Sequence, residues 1–272
     1  MATAIKPPSP INHLGSLLRQ WRATRRMSQL DLSLEADISS RHLSYIESGK
    51  AQPSREMMTR LADALSIPLR ERNALFIAAG YAPVYRETGL STPEMMIARQ
   101  AVDFILKQQE PWPAIVMDRH WNLLQVNNGA TKLVEWLLGR APEDRNVVRQ
   151  VFRSDMLRPY IVNWEDVAAD MVRRLNQEID WVPTDEESKA LLSEVLTYEG
   201  VPAHWAQRDL QTPASPMLTF TFRKGADEVS FFSTWTTFGA PHDVTLEELR
   251  IESSFPADDR TVKTWNQIIS RT

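Results

Sequence analysis

The side chains best suited to chemistry on a partner lie between Met27 and Lys50. Gln29, Ser40, Arg41, Ser44, Tyr45 and Lys50 are polar and surround an apolar series of Leu32, Ala36, Ile38, Leu43 and Ile46. Arginine can donate two parallel hydrogen bonds to guanine O6 and N7, serine can bond either edge of a base pair, and lysine neutralises a phosphate. Such groups read DNA when one short helix enters the major groove and a second crosses the backbone. Ser28 and Ser39 supply the two helix starts, each offering a side-chain oxygen to the unpaired N–H groups of a first turn. Asp31 suits the positive end of the helix that Ser28 opens. The apolar series is then the seam that fixes the crossing angle. Ser40 and Arg41, at the start of the second helix, lead the reading, with Ser44 and Tyr45 also outside the seam and Lys50 placed for a phosphate. Glu47 would be repelled by DNA, so its expected partner is an arginine within the same domain.

Catalysis finds little to work with. His13, His42, His120, His204 and His242 show no metal-ligand spacing, and neither a Gly-x-Ser-x-Gly elbow nor a phosphate-cradling glycine loop occurs. His242-Asp243 reads as a turn after Gly239-Ala-Pro241. The chain has no cysteine, which excludes disulfides, thiolate metal sites and cysteine nucleophiles and is compatible with a reducing cytoplasm. No haem or flavin ligand motif stands out, so no cofactor is expected.

The 272 residues exceed one small domain and carry a formal charge of −4. That charge is uneven. From Ile11 to Gly80 there are ten Lys/Arg against seven Asp/Glu, a local +3 that leaves −7 for the remainder. Arg19, Arg22, Arg25 and Arg26 cluster on the approach to Ser28, where phosphate contacts could form. The first ten residues have no signal-peptide core, and no later stretch has the length of a membrane span. The expectation is a soluble cytoplasmic protein with no membrane partner.

Five helices fit residues 11–80, a DNA-binding domain preceded by a disordered leader over 1–10. Leu14, Leu17, Leu18 and Trp21 stripe the first, and two more form the pair already described. Ser54 caps a fourth through Leu65, and Leu69 to Ala79 forms a fifth that Gly80 closes. Residues 81–93, with Pro83, Gly89 and Pro93, read as a linker. A second domain spans 94–272. Its reading runs through a helix over 94–109, then strands Ala114–Asp118 and Trp121–Asn127 around an Arg119-His120 turn. Helices follow from Asn128, over 147–152, 164–179 and 186–196, then strands over 217–223, 229–238 and 245–251 and a last helix over 259–269. The whole is α+β: an all-α five-helix head, then an antiparallel sheet with helices on one face.

That second domain is rich in aromatics. Alternation puts Leu218, Phe220 and Phe222 on one strand face and Val229, Phe231 and Trp235 on another, and a pocket between sheet and helices would suit an acyl chain. Arg158 and Tyr160, near Trp164, are candidates for holding a carboxylate head.

Ser28-Gln29, Leu32, Ile38-Ser39, Leu43-Ser44-Tyr45-Ile46-Glu47 and Gly49 resemble the lambda-repressor-like, or XRE, helix-turn-helix family. Gln52-Pro-Ser-Arg-Glu-Met57, Pro68 to Leu75, Ala78 to Arg86, Asn163-Trp-Glu165, Thr236 to Gly239, Asp243 to Leu246 and Phe255-Pro-Ala-Asp258 are similar to the MmyB-like group of bacterial regulators. The resemblance implies a DNA-binding head and a PAS-like ligand domain, with fatty acids as suggested ligands. It also implies that Gln29 clamps a phosphate. The expected function is a sequence-specific transcription regulator, not an enzyme, whose partners are double-stranded DNA, a small apolar ligand and a second copy of itself. The alternatives are a head fused to an acyl-processing enzyme, or a constitutive DNA-binding protein with a dimerisation domain. Ser33 and Asp37 depart from the Ala and Gly common in XRE motifs, and aspartate tolerates the left-handed backbone that the corner needs.

Overall fold

A computed structural model describes residues 10–206 and 217–271. The expected leader over 1–10 falls outside it, apart from its last residue. The chain forms two compact units. One comprises the residues up to Thr88 with Ala240–Glu247, and the other comprises Gly89–Gly239 with Glu248–Thr272.

The first unit is helical: α1 (Pro10–Thr24), α2 (Gln29–Glu35), α3 (Ser40–Glu47), α4 (Arg55–Ala64) and α5 (Leu69–Ala78). Its caps are those the sequence offers. The Ser28 hydroxyl accepts from the Asp31 N–H at 3.1 Å while the Asp31 carboxylate accepts from the Ser28 N–H at 2.8 Å. Ser39 and Ser54 cap α3 and α4 by accepting from the His42 and Met57 N–H groups, without the reciprocal bond. The corner between α2 and α3 turns on Asp37 at φ +51°, a left-handed backbone. Leu14, Leu18, Trp21, Leu32, Leu43, Ile46, Leu61 and Leu65 form the core beneath, each essentially fully buried. Gly15 of α1 meets the backbone of Glu47 at the end of α3, where a side chain would overlap the Glu47 carbonyl. Glycine costs an isolated helix about 1 kcal/mol relative to alanine, and here that cost lets two helices touch. Pro68 cannot cap α5 with a side chain; the Glu247 carboxylate, far along the chain, accepts from the Leu69 N–H at 2.7 Å instead.

The second unit continues with α6 (Met96–Gln108), β1 (Ala114–Met117), β2 (Leu123–Val126), α7 (Asn128–Leu138), α8 (Val147–Phe152), α9 (Trp164–Trp181) and α10 (Glu186–Val195). After these come β3 (Thr219–Lys224), β4 (Asp227–Thr236), β5 (Arg250–Pro256) and α12 (Asp259–Arg271); between β4 and β5 the chain forms α11 (Val244–Glu248), which belongs to the first unit as far as Glu247. The five strands make one antiparallel sheet in the order β2-β1-β5-β4-β3. Two strands, helices, then three strands is the PAS-like sequence expected.

Two expectations need correction. Thr245–Ile251 is not a strand throughout. The Asp243 carboxylate accepts from the Thr245 N–H at 2.9 Å, opening α11, so the strand starts only at Arg250 and runs on to Pro256. Nor are the helices confined to one face. Val102 and Leu106 of α6 pack with Ala114, Val116 and Ile251 on one side, while Met117, Phe222 and Phe231 join the helices on the other. The alternation of strand side chains makes these opposite faces.

The turn between β1 and β2 is tied to the start of α10. His120 Nε2 lies 3.2 Å from Asp185, His120 Nδ1 lies 3.2 Å from Glu187, and Arg119 bridges Asp185 and Glu248. Burial opposes protonation of His120, but the two carboxylates outweigh it and its pKa is raised. Asp185 is shifted well down: His120, the α10 amide of Ser188 and Arg119 together overcome its burial. A raised histidine contributes stability below its unfolded pKa and loses it as pH climbs through the folded value. A depressed aspartate contributes above its unfolded pKa and loses as pH falls. The contact should therefore hold best between about pH 4 and 6.5. Thermal melts should show stability declining above that window, and His120→Gln should flatten the decline; an unchanged pH profile in the variant would show that other groups govern it.

Candidate nucleic-acid interface and ligand cavity

In the helix-turn-helix, Ser40 and Arg41 occupy the first turn of α3, both exposed. Arg41 Nε donates to the Tyr45 hydroxyl at 3.1 Å, and its guanidinium lies 5.5 Å from the centre of that ring. The i, i+4 pairing orders a long side chain in advance. Ser44 is half-buried beside them, and Lys50 is exposed just past Gly49, whose φ is +73°.

Gln29 has a second partner. Its amide donates to Glu47 Oε2 at 2.7 Å. Glu47, only 2% exposed, is the expected arginine-bound carboxylate: Arg22 Nε reaches Oε1 at 2.8 Å and its terminal nitrogen reaches Oε2 at 3.2 Å. The Arg19 guanidinium also bonds the Glu47 backbone carbonyl. The hydrogen bond to Glu47 holds the Arg22 pKa above its ordinary value despite partial burial. One carboxylate thus ties together α1, α2 and α3. The sequence signals an arginine partner for Glu47 but not the link to Gln29, because the hub lies at a three-helix junction.

In the second unit a cavity of about 620 Å³ lies between the sheet and the helices α7, α8 and α9. Ile115, Phe220, Phe222 and Phe231 line it from the sheet, Val134, Val147 and Val151 from α7 and α8, and Met171 from α9. The volume falls inside the range of roughly 300–1,000 Å³ usual for small-molecule sites. Leu124 and Val126, part-exposed on edge strand β2, also line it, as do Arg140 and Arg145, which are exposed.

Of the six residues picked from the sequence for this site, Phe220 and Phe231 face the cavity. The others do not. Trp235 lines a separate cleft of about 520 Å³, its ring between the guanidinium groups of Arg174 at 4.7 Å and Arg250 at 5.3 Å and packed on Trp121. Arg158 stacks on Trp164 at 3.8 Å and bonds the Glu199 carbonyl, so its charge is spent on the fold. Trp164 donates from its indole to the Val151 carbonyl at 2.9 Å, and Tyr160 lies beneath Lys224. The aromatic count alone could not separate cavity from packing, since Phe152, Trp164 and Trp205 form a cluster of their own, Phe152 edge-on to Trp164. Sequence reading also missed Glu252, at the middle of β5 and on the cavity wall.

Two family models match. Residues 98–267 match the ligand-binding domain of MmyB-like transcription regulators, and residues 13–75 match a helix-turn-helix domain. A comparison with curated proteins finds no significant match. Among solved structures, the restriction-modification controller protein C.AhdI from Aeromonas hydrophila is 26% identical, with 24% of this chain and 98% of that one covered and a TM-score of 0.23. The clp gene regulator ClgR from Corynebacterium glutamicum is 21% identical over 39% of this chain and 99% of its own, at a TM-score of 0.25. An RNA-binding light-oxygen-voltage receptor is 13% identical over 97% of this chain and 63% of its own, at 0.27. No helix among the described residues is long and apolar enough to cross a membrane.

Proposed function

The chain belongs to the MmyB-like transcription regulators, DNA-binding proteins with a ligand-binding domain, and from this we propose that it is a cytoplasmic, non-enzymatic regulator that reads a two-fold operator as a homodimer and answers to a fatty acid. The observation that carries the ligand half is the cavity, walled by aliphatic and phenylalanine side chains and of a size for an acyl chain. Arg145, exposed where it lines the cavity, replaces Arg158 as the proposed partner of a carboxylate head, with Arg140, which pairs with Glu143 at 2.9 Å, beside it. In the DNA half, Arg41 and Ser40 read bases with Ser44 and Tyr45 beside them, while Gln29 and Lys50 hold phosphates. Native mass spectrometry of gently purified protein tests the ligand: a co-purified acyl mass is expected, and a wholly unrelated molecule in its place would overturn the assignment.

The DNA half has its own expected outcome. Arg41→Ala removes a base contact and so should weaken operator binding more than binding to a scrambled duplex, by a factor worth about 1–3 kcal/mol. Gln29→Ala and Lys50→Ala should weaken both duplexes alike. Titrations against the two duplexes decide between the roles, and equal losses for Arg41→Ala would move Arg41 to the backbone.

A further inference from the structure

We propose that Glu252 is a ligand-binding residue, and that the acyl molecule taken by the cavity carries a hydroxyl on its buried part. This rests on the acyl reading above and narrows it. β5 is a central strand, so Glu252 lies two strand spacings, about 10 Å, from the β2 edge, near which the cavity has its exposed wall. An ionisable group at that depth is costly unless something uses it. In register, its strand neighbours are Ile115 on β1 and Trp235 on β4. The polar side chains of Ser233 and Trp235 and the Arg174 charge on α9 each favour its ionised form. Burial nevertheless outweighs them, so the carboxyl is held toward its neutral, proton-bearing form, able both to donate and to accept.

The fold itself makes little use of it. Neither Arg174, which pairs with Asp170 at 2.7 Å, nor Arg250, which pairs with Glu178, is committed to Glu252 as a salt bridge. A carboxyl held against an apolar cavity matches a ligand hydroxyl, because replacing water on both groups by one direct bond leaves neither unpaired. A plain hydrocarbon chain would offer it no hydrogen bond. A carboxylate head near Arg140 and Arg145 and a hydroxyl at the central strand would each meet a polar group of the wall.

The test uses the full chain and three probes: dodecanoic acid, its ω-hydroxy derivative and dodecanol, titrated calorimetrically into wild type, Glu252→Leu and Glu252→Met. The second variant, unbranched, stands in where the first fails to fold. Wild type should bind the hydroxy acid about tenfold more tightly than the plain acid, and the apolar variants should reverse that order. A wild type that prefers the plain acid, or a preference unchanged in the variants, overturns the proposal. If dodecanol binds wild type and is lost in the variants while neither acid binds, the carboxylate-head reading fails and the Glu252 subsite stands. Binding of none of the three overturns both.

Discussion

Glu47→Ala should cost the N-terminal unit about 3 kcal/mol and most of its DNA affinity. The carboxylate is almost wholly buried and holds two groups at once, the Arg22 guanidinium and the Gln29 amide, while the Arg19 bond to the backbone carbonyl survives the substitution. Removing one partner of a buried ion pair leaves an uncompensated charge, typically worth 3–5 kcal/mol; Arg22 retains some exposure, which places the expectation at about the lower end. Glu47→Gln keeps an acceptor for Arg22 and should cost less. Two units need not melt together, so the measurement is hydrogen exchange resolved on the amides of α1, α2 and α3. A loss of protection confined to these helices is expected. Unchanged protection would show that the arginine and glutamine find water as good a partner, and would reduce Glu47 to a bystander.

The same residue shows what a sequence can disclose. Caps depend on local spacing, which is why Ser28, Ser39 and Ser54 could be placed with their helices, and why Asp37 could be expected to take a left-handed corner. The repulsion between Glu47 and DNA follows from charge alone, so an arginine partner could be anticipated. Its link to Gln29 could not, because it depends on where three helices converge. Gly15 is similar: inside a helical stripe it looks only unfavourable, and the close approach to Glu47 that needs it is tertiary.

In the second unit the limit lies in strand faces. Alternation correctly separates Phe231 from its neighbours, and Phe231, Ser233 and Trp235 do share a parity. A twisted sheet does not present one uniform wall, however. The Phe231 end of β4 meets the cavity while the Trp235 end meets the arginines of α9, so one face serves two environments. Likewise Asp243-Val-Thr-Leu combines β-branched residues with a helix cap. The cap wins because its hydrogen bond is local, whereas a strand there would need a neighbour to pair with.

Affinity for saturated fatty acids should climb steeply with chain length and then level off. Each buried methylene contributes about 0.8 kcal/mol, so going from eight carbons to fourteen adds roughly 5 kcal/mol, between three and four orders of magnitude. The plateau marks the length at which the cavity of about 620 Å³ is full. Val134→Phe, on the α7 wall, should bring that plateau to shorter chains by occupying the space the last carbons would take. Since Val134 is only half-buried, the added ring can enter the cavity without displacing a packed neighbour, which separates loss of volume from loss of fold. Calorimetry across the series on both proteins makes the comparison. A flat series in wild type would mean that chains do not enter, and an identical plateau in Val134→Phe would mean that they bind somewhere other than between the sheet and α7.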